Sequence, residues 1–503
     1  MMVAGLDIGT TGCKVTVFDS EGRQWFRAYQ NYPIRRNLGS HEVDVQAIWE
    51  GVCQVLSQVG SQWGKELCGL GVTSFGETFV ALDENDQPVA PCMLYTDPRG
   101  AEQVEQLTTA LGREQLSEET GLAPHSMYSL PKLLWLKDQR PELFQKVCRI
   151  CLIGDYVAYR LSGVHCIDYS LASRTMAFDV KNLCWSKKVF SAAGIDPSLF
   201  GNPVPSGTIC GKIRQDLAQK WDLPESLPIV LVSHDQVAAA VGSGALSPGQ
   251  AVDGAGTVEC ITPVFNGFPQ GKELQVMAQC GFAIVPYIMP NTYVTYAFTY
   301  TGGALVQWFL ENFAGGEQQK AQLIGKSLYD YIEGQMKDCA TGIFVLPHFA
   351  GAATPYMDVG SKGAILGLTL EHRIADLYRA VMEGVSYEMK LNTQCLAKGN
   401  VQYKSLRATG GGAASRTWLQ IKADILGVPV TTLNVSDAGT VGSAMLTGVA
   451  VGMFPSLEKA AEAFINLGET YWPRQDRQKE YEKLYAQYQG IYQAVRPFME
   501  DAE

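Results

Sequence analysis

An acidic residue that could accept a proton stands at the end of a predicted buried strand. The run Ile229 to Val232 is continuously apolar, and Ser233-His234-Asp235-Gln236 follows it before an alanine-rich segment. A carboxylate between a strand end and a helix start can act as a general base toward a hydroxyl group. The commoner role of Asp at such a place is to cap the helix, and that alternative stays open.

Two turns rich in glycine and threonine could hold phosphate. Such a turn offers backbone N–H groups and hydroxyls to an anion, although either turn alone is common in hairpins without a ligand. Two matched turns from the two halves of the chain could grip a polyphosphate from opposite sides of a cleft. The residues concerned are Gly9, Thr10, Thr11, Gly12, Lys14, Gly254, Gly256 and Thr257. Asp7, just before the first turn, would then hold the Mg²⁺ that accompanies a nucleotide.

A third glycine-rich segment runs from Leu406 to Ser415, where a predicted strand leads into Gly410-Gly411-Gly412 and then a helix. Glycines at a helix start let a flat ring or a phosphate approach the backbone closely. The spacing differs from the G-x-G-x-x-G pattern of dinucleotide-binding proteins. A tight turn without a ligand is the alternative.

The elements that must position these residues alternate between strands and helices. Apolar runs such as Leu67 to Thr73 predict buried strands, and amphipathic stretches such as Gln46 to Gln58 and Ile374 to Leu396 predict helices. Each half opens with a hairpin, at 3–19 and at 251–261, so the chain looks duplicated. The pattern predicts an α/β protein.

Two domains with a cleft between them are the expected organisation. A chain of 503 residues exceeds the size, about 250 to 300 residues, at which a single core stops growing. The turn-rich stretch Leu246-Ser247-Pro248-Gly249 precedes the second hairpin. It predicts one domain over 1–247 and another over 248–503, with closing helices from Pro455 onward.

The overall composition favours action on a small molecule. The formal net charge of −11 disfavours nonspecific binding to nucleic acid. The first residues contain no basic leader, and no apolar stretch of about 18 residues occurs, so we expect a cytoplasmic chain without a membrane span. The 13 cysteines indicate free thiols in a reducing compartment. The close pair Cys148 and Cys151 could suggest metal or redox chemistry, but no second pair at zinc spacing accompanies it.

These elements, in this order, resemble the FGGY family of carbohydrate kinases over nearly the whole chain. The residues from Met127 to Gln139 are similar to the first signature of that family, and those from Gly363 to Leu368, with 376–383 downstream, to the second. The resemblance implies two ribonuclease-H-like domains of the actin, hexokinase and Hsp70 type. It also implies ATP-dependent phosphorylation of a hydroxyl group on a small sugar or polyol, with Mg²⁺.

The resemblance implies a role for each matched residue. Asp235 matches the catalytic base, and Asp7 matches the Mg²⁺ ligand. A solvated helix position is the alternative for Gln307. Lys132 and Trp135, although they belong to the first signature, are expected to pack and to anchor a helix at the surface. The implied nucleotide contacts are Thr10, Thr11, Lys14, Gly256, Thr257, Gly303, Gln307, Gly411, Gly412 and Ala413.

The segment from Ser74 to Asp83 aligns with the acceptor-binding region of the family and departs from its known members. Glycerol kinases resemble this chain at Glu77 but carry Arg in place of Gly76 and Tyr in place of Met127, so this pocket should be larger than theirs. Xylulokinases have Met-His at 76–77, whereas the stretches 95–99 and 168–175 look xylulokinase-like. The expected acceptor contacts are Gly76, Glu77, Asp97, Arg99, Met127, Asp235 and Gln236.

A ketopentose such as xylulose is the favoured acceptor, because a carboxylate such as Glu77 accepts hydrogen bonds from neighbouring hydroxyls. Glycerol, erythritol, ribulose and gluconate are alternatives. Gluconate would require a cation, for which Arg99 is the candidate unless it pairs with Asp97. A chaperone or filament protein of the actin and Hsp70 type is an alternative function of a different class. A catalytically silent sugar sensor with the same fold is another alternative, but such a protein should have lost Asp7 or Asp235. No nucleic-acid or membrane partner is expected, and a homodimer is left open.

Overall fold

The computed structural model describes residues 1–37, 39–434 and 437–499. Short strands and helices alternate along the chain, as the sequence predicts. The strands are β1 (Met2–Ile8), β2 (Gly12–Asp19), β3 (Gln24–Asn31), β4 (Ile34–Asn37), β5 (Ser40–Val43), β6 (Leu67–Ser74), β7 (Phe79–Leu82), β8 (Cys92–Met93), β9 (Arg149–Leu152), β10 (Cys166–Asp168), β11 (Phe178–Asp179), β12 (Cys184–Trp185), β13 (Asn202–Val204), β14 (Thr208–Lys212), β15 (Pro228–His234), β16 (Gln250–Ala255), β17 (Glu259–Asn266), β18 (Val285–Pro286), β19 (Thr292–Val294), β20 (Ala297–Thr299), β21 (Phe344–Leu346), β22 (Ala364–Leu366), β23 (Ser405–Thr409), β24 (Val430–Leu433) and β25 (Leu467–Tyr471).

The helices pack on these strands. They are α1 (Val45–Trp63), α2 (Ala101–Leu111), α3 (Arg113–Thr120), α4 (Ser129–Gln139), α5 (Pro141–Phe144), α6 (Ile153–Ser162), α7 (Tyr169–Ser173), α8 (Lys187–Ala193), α9 (Gln215–Lys220), α10 (Asp235–Gly242), α11 (Lys272–Gln279), α12 (Gly303–Phe313), α13 (Gly315–Leu323), α14 (Leu328–Glu333), α15 (Ile374–Lys398), α16 (Arg416–Leu426), α17 (Ala438–Ala450), α18 (Leu457–Phe464), α19 (Gln475–Tyr488) and α20 (Ile491–Val495). No helix in the described part of the chain combines the length and the apolar character that crossing a bilayer requires.

The first sheet is built on the amino-terminal hairpin. Its six strands run in the order β14-β15-β6-β1-β2-β3. Strand β1 is buried throughout, pairs antiparallel with β2 and pairs parallel with β6. Strand β15 in turn pairs parallel with β6. The carboxyl ends of β1, β6 and β15 therefore meet at one edge of the sheet, which is where ligands bind in sheets of this kind.

The second sheet repeats this plan. Its main path is β18-β19-β17-β16-β23-β24-β25, and β20 pairs with β17. The β16–β17 hairpin is antiparallel, and β23 pairs parallel with β16, as β6 does with β1. The predicted duplication of the hairpin is confirmed. The carboxyl-terminal segment is not wholly helical, because β25 lies between α18 and α19 and pairs antiparallel with β24.

Two helices join the halves. Gly242 of α10 lies against the carbonyl of Ala438, and Gly442 of α17 lies against the carbonyl of Ala238, so that a side chain at either glycine would overlap the other helix. Gly5 of β1 likewise faces the Thr440 carbonyl. Helix α17 thus belongs to the second half of the sequence but packs on the first sheet, and this packing brings the two hairpins to one cleft.

Candidate active site

Asp235 is the first residue of α10 and directly follows β15. The residue at the N-cap position is His234, and no side chain caps this helix end. The capping role that the sequence left open is therefore not the one Asp235 has. Its side chain is 28% exposed and lies beside the carboxyl ends of the parallel strands.

A short polar chain holds the Asp235 carboxylate. Oδ1 of Asp235 lies 3.2 Å from Nε2 of His234, and Nδ1 of the same ring lies 3.1 Å from the Tyr296 hydroxyl. Burial holds the pKa of His234 well below its usual range, with the charge of Arg174 adding to the effect, so the ring is neutral. In the tautomer that satisfies both contacts, Nε2–H donates to Asp235 and Nδ1 accepts from Tyr296.

The pKa of Asp235 is raised to about 8. Burial is the largest cause, and the neighbouring carboxylates of Asp7 and Glu77 add to it, while the Gln236 backbone N–H and Arg174 act in the opposite direction. A carboxyl group whose pKa lies near neutrality is suited to proton transfer. This is the electrostatic pattern expected of a general base.

Glu77 pairs with an arginine that the sequence did not single out as a site residue. Nε of Arg174 donates to Oε1 of Glu77 at 2.7 Å, Nη2 contacts the same oxygen, and both side chains are buried. Nη1 of Arg174 is buried without a hydrogen-bond partner. The guanidinium lies over the rings of Tyr128 and Tyr296. Arg174 follows α7, far from Glu77 in the sequence, so no local pattern could have joined them.

Gly76 makes room for this pair. A Cβ atom at Gly76 would lie 3.1 Å from both Cγ of Arg174 and Cδ2 of His234. Arg174 therefore fills part of the volume that an arginine at position 76 would occupy.

The other predicted acceptor contacts are distributed around this pocket. Met127 is half-buried and packs against the core, and the adjacent Tyr128 is the residue that faces Arg174. The Ser129 hydroxyl donates to the Glu77 carbonyl at 2.6 Å and ties α4 to the acceptor segment. Gln236 is exposed in the first turn of α10.

Asp97 and Arg99 pair with each other, as one alternative proposed. Nε of Arg99 donates to Oδ1 of Asp97 at 2.8 Å, and its Nη2 contacts Glu42 at 2.6 Å. Within the described chain, neither side chain hydrogen-bonds to Glu77 or Asp235. The positive charge of Arg99 is therefore neutralised outside the acceptor pocket.

The expectation that Lys132 lies at the surface is wrong. Lys132 is fully buried, not anchored at the surface, and its Nζ donates to the backbone carbonyls of Asp97 and Ser126. Burial lowers its pKa to about 8. Trp135 does pack as predicted, since the Arg99 guanidinium lies 4.9 Å from its ring centroid. Lys132 thus links the first signature helix to the Asp97 loop.

The first hairpin turn presents Thr10 and Thr11 beside a small charge cluster. Thr10 is half-buried and Thr11 is exposed, while the turn itself closes through Gly9 N–H to the Gly12 carbonyl at 2.9 Å. Nζ of Lys14 lies 3.0 Å from Asp7 and 2.9 Å from Asp437. Burial raises the pKa of Asp7, and Lys14 opposes that effect. Asp437, the N-cap of α17, was not predicted and reaches this site from the second half of the chain.

The second hairpin turn packs on the start of α12. The Gly256 carbonyl accepts from Gly303 N–H at 2.8 Å, and the Thr257 carbonyl accepts from Ala304 N–H at 3.1 Å. The first N–H groups of α12 are thus satisfied by the turn. Gly303 serves here by allowing close approach, and its own N–H is not available to a phosphate.

A cavity of about 890 Å³ unites most of the predicted nucleotide contacts. Gln307 is exposed on α12 and faces this cavity, and its amide also bonds Glu311 at 2.7 Å. Ala413 belongs to the short turn that forms one wall but does not itself line the space. The predicted residues that line it are Gly256, Thr257, Gly303, Gln307, Gly411 and Gly412.

Several lining residues were missed by the sequence reasoning. Ser415 caps α16 and also donates to Glu333 at 3.0 Å, which joins α16 to α14 across the cavity. Nε1 of Trp418 is buried without a hydrogen-bond partner. A serine at the start of a predicted helix is typical of an N-cap, so Ser415 could have been identified from the sequence. Helix α14 lies in a segment without any motif. The missed residues include Tyr329, Glu333, Tyr378, Ser415, Arg416 and Trp418.

Two sheets of the same plan, each opening with a glycine-rich hairpin, meet at a cleft that leads to a ligand-sized cavity. This arrangement defines a two-domain ATPase of the actin, hexokinase and Hsp70 type. The chain belongs to the FGGY family of carbohydrate kinases. The sequence model of the amino-terminal domain of that family matches residues 2–242, and the model of its carboxyl-terminal domain matches 278–451.

Individual carbohydrate kinases are similar to this chain over nearly its full length. A xylulose kinase of Bacillus subtilis is 27% identical over 495 residues, which cover 97% of this chain and 96% of that protein. A gluconokinase of the same organism is 27% identical over 491 residues, covering 95% and 93%. A ligand-bound xylulose kinase structure from Lactobacillus acidophilus superposes with a TM-score of 0.89 at 21% identity and 98% coverage of both chains. The protein is thus a carbohydrate kinase, a phosphotransferase with an alcohol group as acceptor.

Proposed function

We propose that this kinase transfers the γ-phosphoryl group of ATP to a hydroxyl of a ketopentose such as xylulose, with Asp235 as the general base. The observation that carries the proposal is the buried Glu77–Arg174 pair next to His234 and Asp235. Nη1 of Arg174 has no partner, so it can donate to an oxygen of the acceptor. A ketose offers a carbonyl or hydroxyl oxygen for this contact.

Charge balance favours a neutral acceptor over a sugar acid. The charge of Arg174 is neutralised by Glu77, and that of Arg99 by Asp97 and Glu42. Asp7 adds negative charge to the cleft, as its raising effect on the pKa of Asp235 indicates. A carboxylate such as that of gluconate would enter a site without a free cation among these residues, and burying it there would be unfavourable.

The residues on the acceptor side perform the proton transfer. Asp235 accepts the hydroxyl proton as the acceptor oxygen attacks, while Nε2–H of His234 donates to Oδ1 of Asp235 and orients the carboxylate. Because Tyr296 comes from the second half of the chain, this orientation requires both halves. Closure of the two halves would also exclude water from the transferring group.

The 890 Å³ cavity is the proposed ATP site, with the terminal phosphates directed toward the two hairpin turns. Its size is in the range of ligand pockets, roughly 300 to 1,000 Å³. A side chain at Gly411 would meet no atom within 4 Å, so a ligand can approach the backbone there. The side chain of Trp418 lines the same cavity. Arg416 supplies positive charge at the rim.

The residues around Lys14 fit a Mg²⁺ ion. Asp7 and Asp437 direct oxygen atoms at one cation, the ammonium of Lys14, and carboxylate oxygens are the ligands that Mg²⁺ prefers. Mg²⁺ would supply neutralisation of phosphate charge there. Asp7 and Asp437 would hold the ion, and Lys14, once released, could meet a phosphate oxygen.

The acceptor is tested by a coupled ADP-release assay over ketopentoses, aldoses, polyols, sugar acids and glycerol. We expect the highest kcat/KM with a ketopentose. Preference for gluconate would contradict the charge argument, and activity with glycerol alone would contradict the larger pocket.

The proposal also divides the chain into an acceptor-binding domain, 1–247, and a nucleotide-binding domain, 248–503.

A further inference from the structure

Cys151, Asp155 and His165 form a cluster on the first half of the chain that the kinase reaction does not use. Cys151 lies on β9, Asp155 in the first turn of α6, and His165 just before β10. One ligand-type atom of each residue lies within 4.8 Å of the other two. Of the described residues, this is the one group in which three such side chains converge so closely. We propose that it is a Zn²⁺ site.

The Asp155 carboxylate is prepared for a ligand. Oδ1 accepts from Leu152 N–H at 2.8 Å, which fixes the side chain at the start of α6. Oδ2 is buried without a hydrogen bond of ordinary geometry, and the Cys151 thiol is the side chain that interacts with this carboxylate. In the described chain, Asp155 forms no ion pair, since the nearby Arg149 is paired with Asp86 at 2.5 Å. A thiol is a weak donor, so a buried carboxylate oxygen with only this neighbour is poorly satisfied, and a bound cation would satisfy it.

His165 contributes one ring nitrogen to the cluster. Its Nε2 lies 3.2 Å from the Ile150 carbonyl, and the ring packs edge-on against Tyr159. Donation from Nε2 to the carbonyl leaves Nδ1 as the nitrogen with a free lone pair. Metal-binding histidines almost always donate their other ring nitrogen in this way, which fixes the tautomer and the ring direction. His165 is half-buried, so an ion can enter from the solvent side.

The donor set selects the metal. A thiolate and an imidazole favour Zn²⁺ over Mg²⁺ or Ca²⁺, which prefer oxygen atoms only. Around tetrahedral Zn²⁺, with Zn–S near 2.3 Å and Zn–N near 2.0 Å, ligand atoms lie roughly 3.3 to 3.8 Å apart. The three ligand atoms lie within 4.8 Å of one another, so binding would bring the more distant of them closer together. Three protein ligands leave a fourth position for water.

The close pair Cys148 and Cys151 contributes only one member to this site. Cys148 is exposed and its Sγ lies 3.6 Å from the Lys146 carbonyl, whereas Cys151 is fully buried. The spacing i to i+4 from Cys151 to Asp155 places both at the junction of β9 and α6, and His165 is added by the fold. Cys148 therefore provides a matched control, a cysteine three residues away that the site does not include.

The test measures zinc directly on the full chain. The purified protein is loaded with Zn²⁺, dialysed and analysed for metal by mass spectrometry, and in parallel it is titrated with Co²⁺ to detect thiolate-to-cobalt charge-transfer absorption. We expect about one Zn²⁺ per chain in the wild type and in Cys148→Ser. Cys151→Ser should abolish the charge-transfer band, and Asp155→Asn should weaken zinc binding by about tenfold or more.

Asp155→Asn keeps an oxygen that can accept from Leu152 N–H, so the variant should fold and its circular dichroism should match that of the wild type. His165→Gln, at a half-buried position, gives a second folded variant. A wild type that retains no zinc would overturn the proposal and favour a simple thiol–carboxylate hydrogen bond. Unchanged zinc content in Cys151→Ser would also overturn it, because the metal would then lie at another of the cysteines. Neither result depends on which sugar the kinase accepts.

Discussion

Nε2 of His234 lies 3.2 Å from Oδ1 of Asp235, across the junction of β15 and α10. This contact joins the strand end to the first residue of the helix. Because the same ring is held by Tyr296 from the second half of the chain, the direction of the Asp235 carboxylate depends on both halves.

Replacement of Asp235 by Asn should abolish phosphorylation. The amide cannot accept the hydroxyl proton, and general-base catalysis contributes about 10² to 10⁴ in rate. ATP binding should change little, since the nucleotide cavity is lined by other residues. ADP release and equilibrium nucleotide binding would be measured on the same preparation. The exposed Asp216 offers a matched control, and Asp216→Asn should be fully active. Near-normal turnover of Asp235→Asn would remove Asp235 from the mechanism.

The pH profile should report the raised pKa of Asp235. The base works as the carboxylate, so kcat/KM should fall as pH falls through about 8 and level off above it. His234→Phe removes an N–H donor to the Asp235 carboxylate, so the pKa of Asp235 should rise and the acidic limb of the kcat/KM profile should move to higher pH. His234→Gln retains a donor and serves as the control. Identical limbs in the wild type and in His234→Phe would contradict a role for this contact.

The Glu77–Arg174 pair should contribute to the stability of the folded chain. Arg174→Met leaves the Glu77 carboxylate buried and unpaired, and the expected loss of unfolding free energy is about 3 to 5 kcal/mol. Urea denaturation should show that the double variant Arg174→Met/Glu77→Gln recovers most of this loss. Glu77→Gln alone completes the cycle, and a double variant whose loss equals the sum of the two single losses would mean that the two residues are not coupled.

Arg174→Lys separates binding from stability. The lysine keeps the positive charge beside Glu77 but lacks a second nitrogen that can donate in the direction of Nη1. Loss of one charge-assisted hydrogen bond, about 1.5 to 3 kcal/mol, should raise the acceptor KM by roughly 10- to 150-fold. The KM for ATP should stay unchanged. A changed KM for ATP with an unchanged acceptor KM would place Arg174 outside the acceptor site.

The nucleotide cavity can be tested by filling it. A side chain at Gly411 would meet no protein atom within 4 Å, so Gly411→Val should fold normally and project into the space proposed for ATP. Steric conflict of about 1 to 3 kcal/mol should weaken ATP binding roughly fivefold to 150-fold. Gly360→Val is the control at an exposed glycine outside the cavity. Equal ATP affinities in the two variants would contradict the assignment of this cavity.

The two hairpins and their parallel strands could be predicted from the sequence because their signals are local. Glycine turns, apolar alternation and buried runs lie within about 20 residues of one another at 3–19 and 251–261. Arg174 and Tyr296 could not be predicted in the same way, since each reaches Glu77 or His234 from a distant segment. A lysine is usually solvated, which predicts Lys132 at the surface, whereas two backbone carbonyls satisfy its ammonium in the interior.

The buried triad of Lys422, Asp253 and Glu259 fastens α16 to the second hairpin, beneath the nucleotide cavity. Nζ of Lys422 lies 2.7 Å from Asp253 and 2.9 Å from Glu259, and none of the three is exposed beyond 1%. Lys422→Met leaves two buried carboxylates without a cation and should cost about 3 to 5 kcal/mol of stability. Lys459→Met, which breaks only a surface pair with Glu462, should cost about 1 kcal/mol or less.

The loss in Lys422→Met should depend on pH in a definite direction. Burial raises the pKa of Glu259 from 4.5 to about 7 even with Lys422 present, and removal of the lysine would raise it further. The folded state then binds a proton that the unfolded state releases, so stability is highest at low pH and falls as pH rises above 4.5, until about 7 in the wild type and to a higher pH in Lys422→Met. Urea unfolding at pH 5.5 and pH 8 should show a larger difference from wild type at pH 8. A pH-independent difference would mean that Glu259 is not the group left uncompensated.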